Sequence, residues 1–147
     1  MAKTLGYMIT FTMYGTWLQG DKRGFVKDGE VRGENTALKK SNAESMSGSE
    51  VKFGRKKKEI VMGAITEAAK RFKQKILAMG VFSKHVHIVC EYVDVPIGVI
   101  VGYYKNAGRV ALQKNGFKGR VWTNGYNTKF CFDEKSLKNR IEYVEGH

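Results

Sequence analysis

Gln74-Lys75-Ile76-Leu77-Ala78-Met79-Gly80-Val81-Phe82-Ser83-Lys84-His85-Val86-His87-Ile88-Val89-Cys90-Glu91-Tyr92 is the stretch that decides the architecture. Ile76, Ala78, Gly80 and Phe82 recur at every second position, and so do Val86, Ile88, Cys90 and Tyr92. This predicts two strands, 74–82 and 85–92, separated by Ser83-Lys84. His85 and His87 have the parity opposite to the apolar set, so both imidazoles project from one face while Val86, Ile88 and Cys90 fill a core on the other. Two adjacent imidazoles can share a divalent cation, and Cys90 has the wrong parity to join them. A strand that carries half-exposed histidines with no ligand shows the same pattern, so the strand by itself leaves both readings open.

Working outward, residues 5–13 alternate apolar and small polar side chains and predict a strand. Between 55 and 72, Ile60, Val61, Ala64, Ile65, Ala68 and Phe72 fall on one helical face. Asp94 is expected to cap a second helix with Pro96 in its first turn, its apolar face running through Ile97, Ile100, Val101, Tyr104, Gly108, Ala111 and Leu112. Residues 120–132 read as a hairpin or two short strands around Thr123-Asn124-Gly125. Asp133 caps a last helix through Leu137, Ile141 and Val144. This order predicts an α+β fold, a ferredoxin-like antiparallel sheet packed with helices, in one domain over 1–147. The stretch 14–50 has five glycines between 15 and 33 and almost no apolar periodicity, which makes it a long loop.

The chain has 147 residues with 26 Lys plus Arg against 14 Asp plus Glu, a net charge of +12. With 42% apolar residues, it can bury a core without disulfides or a structural metal. No run reaches the roughly 18 apolar residues of a membrane span, and the start lacks the pattern of a signal peptide. Cys90 and Cys131 lie in apolar stretches and suit a reducing cytoplasm. The charge excess favours a polyanionic partner. Aromatic residues beside cations, as in Tyr103-Tyr104-Lys105 and Arg120-Val121-Trp122, suit stacking on single-stranded bases, although core aromatics under a solubilising surface would give the same composition.

Arg55-Lys56-Lys57-Lys58 opens the first helix at the end where positive charge is disfavoured, so the cluster is explained by a phosphate partner or by an ordinary solvated turn. Lys105 and Arg109, on the polar side of the second helix, are further candidates for contact with DNA. Tyr143 and His147 are four apart on the last helix and project from one face. Laid across the His85/His87 face, that helix would bring a phenol and a third imidazole to a cation, the parts that phosphoryl transfer requires. Tyr143 also suits a core aromatic beside Ile141 and Val144. No phosphate-binding glycine loop, Gly-x-Ser-x-Gly elbow or cysteine-rich zinc pattern is present.

Phe82-Ser83-Lys84-His85-Val86-His87-Ile88-Val89 resembles the His-hydrophobic-His strand of HUH single-strand nucleases. The opening Ile9-Thr10-Phe11-Thr12-Met13-Tyr14-Gly15-Thr16-Trp17-Leu18-Gln19-Gly20-Asp21 is similar to the start of IS200-like, single-tyrosine transposases. Val121-Trp122-Thr123-Asn124-Gly125 and Ile141-Glu142-Tyr143-Val144-Glu145 resemble the same proteins and the REP-associated tyrosine transposases. The resemblance implies a Mg²⁺- or Mn²⁺-dependent enzyme that cuts and rejoins single-stranded DNA. It implies that His85 and His87 bind the metal and that Tyr143 attacks the phosphodiester to give a 5′-phosphotyrosine link and a free 3′-hydroxyl. It further implies a hairpin-containing element end as partner, a homodimer, and a cytoplasmic, nucleoid-associated location of bacterial type. Relatives usually place Gln or Asn where His147 stands; imidazole in that position tilts the preference toward Mn²⁺. Relatives also often carry a proline where Ser83-Lys84 stands. The alternative is a domesticated or non-catalytic protein that binds single-stranded nucleic acid on the same fold.

Overall fold

The computed structural model describes residues 3–15 and 51–146. The elements run β1 (Gly6–Thr12), α1 (Arg55–Arg71), β2 (Ile76–Val81), β3 (His85–Glu91), α2 (Ile97–Lys114), β4 (Asn127–Cys131) and α3 (Glu134–Glu145). The strands form one sheet in the order β2-β3-β1-β4, and every neighbouring pair is antiparallel. This is the expected α+β, ferredoxin-like arrangement. Most of the loop expected at 14–50 lies outside the described residues.

β1 is central, and all seven of its residues are buried because helices cover both faces of the sheet. On one face Tyr7, Ile9, Phe11 and Met13 join Val86, Ile88 and Cys90 beneath Val61 and Ile65 of α1 and Ile100, Tyr104 and Leu112 of α2. On the other, Met8, Ala78 and Val89 meet Val144 of α3, with Leu77, Leu137 and Ile141 at the margin. The strand parity read from Val86, Ile88 and Cys90 is therefore correct.

Three local expectations are corrected. Residues 76 and 78 do not share a face: Ile76 pairs with Cys90 and Ala78 with Val89, so a bulge leaves Leu77 as an extra residue and turns both Leu77 and Ala78 toward α3. Asp94 is not a helix cap. Pro96 occupies that position with ψ 135° and no side-chain capping bond, because a proline forces the residue before it into extended backbone. The Asp94 carboxylate instead accepts from the Tyr92 hydroxyl at 3.3 Å.

Of the two arrangements expected for residues 120–132, the hairpin is not formed and two short extended pieces are. Trp122 bridges Met13, and Asn127 through Cys131 pair with Thr10 back to Gly6, so both pieces run along the same edge of β1. The 123–126 segment bulges out between them, with Gly125 at φ +88° supplying the left-handed turn. The Asn-Gly turn signal was real, but its partner strand lies more than a hundred residues earlier.

Candidate functional site

The site lies on the α3 face, at the end of the sheet where β3 begins. Antiparallel pairing sets Thr12 opposite His85 and Thr10 opposite His87, so two threonines and two histidines share one patch of the sheet surface. The histidine rings are 4.7 Å apart between centroids. His87 is buried, 7% exposed, and its Nδ1 lies 2.7 Å from the Thr10 hydroxyl. The Phe82 ring lies against His85 at 4.9 Å and edge-on to His87 at 6.0 Å. Phe82 reaches this position because position 80 is glycine: a Cβ there would collide with the Phe82 ring.

α3 supplies Tyr143. The helix is anchored at its start by Asp133, whose carboxylate accepts from the Ser136 amide at 2.7 Å; this holds the carboxyl below its ordinary range. Leu137, Ile141 and Val144 then turn toward the sheet. Tyr143 stands beside this apolar row with its ring 5.6 Å from that of His87, at 66°. It is 47% exposed, so it is not a core aromatic: Val144 holds that place, and Tyr143 forms the solvent-facing wall of the histidine pair. The described structure thus brings together His85, His87 and Tyr143. His147, the third expected ligand, lies outside the described residues. Among the described residues no group of three His, Cys, Asp or Glu side chains comes together. Cys90 is buried on the opposite face, where burial pushes its thiol up to about 12, so it stays protonated at neutral pH.

The cations divide into two sets. Arg55 through Lys58 form the first turn of α1, Arg55 and Lys56 exposed and Lys57 and Lys58 half-buried; the turn has no acidic residue and no side-chain cap. That turn is tied to the β2–β3 connection by the Phe53 amide, which donates to the Ser83 carbonyl at 2.8 Å. Arg55 and Lys58 line a shallow pocket of about 290 Å³ with Glu59, Met62 and Val81. The cluster therefore borders the end of the sheet that carries His85. Within it, Arg55 pairs with Glu59 at 3.4 Å and the Lys57 ammonium lies over the Phe117 ring at 4.6 Å.

Lys105 and Arg109 sit on α2, across the sheet from the histidines. The Lys105 ammonium donates to the carbonyls of Thr123 at 2.8 Å and Gly125 at 2.7 Å. Burial, and then the charge of Arg120, lower its pKa. It clamps the 123–126 bulge rather than standing on an open polar surface. Arg109 donates to Asn106 at 2.6 Å.

Sequence reasoning missed Thr10 and Phe82 as site residues, and it named Arg120 only as a cation beside an aromatic. Arg120 stacks on the Tyr14 ring at 4.5 Å and donates to Asn124 at 2.9 Å, next to the point where β1 leaves the sheet. The alternation of Thr10 and Thr12 in β1 signalled a polar parity. Only the β1–β3 register shows that this parity matches the histidines.

No helix among the described residues is long and apolar enough to cross a membrane. Comparison with solved structures finds the same fold at low identity. One is a REP-associated tyrosine transposase bound to a REP hairpin: it is 10% identical with a TM-score of 0.57, over 98% of this chain and 67% of that one. Another is a proposed transposase of Deinococcus radiodurans R1, 12% identical with a TM-score of 0.50, over 99% of this chain and 92% of that one. Among curated proteins none matches. The family model described as Transposase IS200 like matches residues 50–147, a span that includes β3 with its two histidines and α3 with its tyrosine, and the chain belongs to that family.

Proposed function

We propose that this protein cuts and rejoins single-stranded DNA, with Tyr143 as nucleophile and His85 and His87 as ligands of a divalent cation. The observation that supports the reading most is the 5.6 Å approach of the Tyr143 ring to His87, next to a histidine pair at 4.7 Å. Elements distant in sequence bring one phenol and two imidazoles to a common patch, and the phenol is left half-exposed to a substrate.

The donor set fits a borderline cation. Imidazole nitrogens suit Mn²⁺ better than the harder Mg²⁺, which prefers oxygen, and a ring held through its Nδ1 is the usual arrangement for a ligating histidine. By its place four residues after Tyr143 in the sequence, His147 is the third ligand in this reading. When bound, the cation would polarise the scissile phosphate and screen its charge.

The chain's own part is positional. α3 carries Tyr143 to the face of the histidines, where its oxygen attacks phosphorus as the phenolic proton is lost. The bond from phosphorus to the 3′ oxygen breaks and that oxygen takes up a proton from solvent, balancing the one the phenol released there, leaving a 5′-phosphotyrosine and a 3′-hydroxyl. Attack by another 3′-hydroxyl reverses the step, so bond energy is conserved and no nucleotide cofactor is needed. Arg55 through Lys58, with Arg120, flank the histidine end of the sheet and supply countercharge for the strand. The substrate is a single strand with a hairpin near the cut, the class of DNA held by the REP-hairpin complex of the similar fold.

The test is incubation with Mn²⁺ or Mg²⁺ and labelled hairpin oligonucleotides, followed by denaturing gels and peptide mass spectrometry. The expected result is a covalent adduct on Tyr143 that disappears with chelator. Tight, salt-sensitive binding without an adduct would assign the protein to the non-catalytic binders instead.

A further inference from the structure

Thr10 is buried, 8% exposed, directly opposite His87 in the β1–β3 register, and its hydroxyl lies 2.7 Å from His87 Nδ1. An imidazole can offer a cation only one nitrogen at a time, and the partner of the other nitrogen decides which. If the hydroxyl donates to Nδ1, the neutral ring carries its proton on Nε2 and has no lone pair there for a metal. If the hydroxyl accepts from Nδ1–H, Nε2 is the nitrogen that carries the lone pair.

The geometry points to Thr10 as a positioning residue: its hydroxyl oxygen accepts from His87 Nδ1–H, fixing the ring so that Nε2 is the nitrogen presented to the cation. This rests on the reading of His87 as a ligand. The sheet makes the arrangement rigid, since both residues are held by the central strand pair and the His87 ring is boxed by His85, Phe82 and Tyr143. Rotation of the ring to offer Nδ1 instead would break the Thr10 bond and leave a buried hydroxyl to find another partner.

Three variants and one spectrum test this. Mn²⁺ binding is measured on the intact protein by the electron paramagnetic resonance of the free ion, for wild type, Thr10→Val, Thr10→Ser and His87→Ala, with thermal unfolding of each recorded alongside. Thr10→Val is expected to weaken Mn²⁺ about 10-fold, the usual effect of removing such a partner, while Thr10→Ser restores affinity to near wild type. In the wild-type protein loaded with diamagnetic Zn²⁺, nitrogen-15 spectra are expected to show His87 protonated at Nδ1 and metal-bound at Nε2. Wild-type Mn²⁺ affinity in Thr10→Val alongside a loss in His87→Ala would overturn the role of Thr10 and leave the ligand reading standing. So would Zn²⁺ on Nδ1. Wild-type affinity in His87→Ala would overturn the ligand reading, and the role of Thr10 with it. If Thr10→Val fails to fold, the Zn²⁺ spectrum of the wild type decides.

Discussion

The two faces of the sheet are built from alternate residues of the same strands and serve different ends. Under α1 and α2, Tyr7, Ile9, Phe11, Met13, Val86, Ile88 and Cys90 form a closed core that includes two helices and Trp122. Under α3, the apolar set is short, Met8, Ala78, Val89 and Val144, and it stops where Thr10, Thr12, His85 and His87 take over the same parity. One face stabilises the domain. The other has only enough apolar contact to dock a helix, which leaves the rest of its area for polar groups and a half-exposed phenol. Strand alternation thus lets a small domain hold imidazoles rigidly without placing them inside its main core.

The largest expected effect of separating the two faces is at Tyr143. Tyr143→Phe should lower adduct formation roughly a thousand-fold or more, as removal of a nucleophile does, while thermal unfolding and hairpin binding stay unchanged. Loss of folding in this variant would mean the two faces are not separable. On the other face, Phe11→Ala should cost about 3–5 kcal/mol in urea unfolding, because the ring is fully buried. Val144→Ala on the α3 face should cost about 1.5 kcal/mol, two buried methyl-sized groups at roughly 0.8 each, yet reduce adduct formation because it loosens the helix that carries Tyr143.

Alkaline titration should act chiefly on the core face, with a further contribution from the Cys131 thiol at the end of β4, which burial also raises. Burial raises the Cys90 thiol from the ordinary 9.0 to about 12, and burial raises the Tyr104 and Tyr7 phenols too. A raised acid is neutral when folded and ionises earlier when unfolded. Stability from these groups is therefore present below about pH 9 and falls as pH rises toward 12. Unfolding free energy measured between those values should decline, and Cys90→Ala should flatten part of the slope. Gly80→Ala should have a smaller effect and only at the site: the added methyl displaces Phe82 from His85 and should weaken Mn²⁺ several-fold, with little change in unfolding. The smallest effect belongs to Asp133→Ala, which removes the cap of α3 and should fray the first turn, with at most a few-fold loss of adduct.

Much of this was legible in the sequence for a local reason. The parity of His85 and His87 against Val86, Ile88 and Cys90 is a property of one strand. The i, i+4, i+7 row of Leu137, Ile141 and Val144 is a property of one helix. What escaped were relations between strands distant in the chain. Nothing near Thr10 announces that it faces His87, and nothing near Trp122 announces that it bridges Met13 and so excludes a hairpin. Lys105 looked like solvent-facing polar surface because helical periodicity does not reveal the carbonyls of a bulge packed beside it.

The proposed chemistry requires the α3 face to hold a cation between His85 and His87 within reach of Tyr143. Anomalous diffraction from crystals soaked in Mn²⁺ tests it most directly. One strong peak is expected within coordination distance of both imidazoles, Nε2 being the contact on His87, on the side that Tyr143 walls. A peak elsewhere on the surface, with the histidine pair left bare at saturating Mn²⁺, would contradict it.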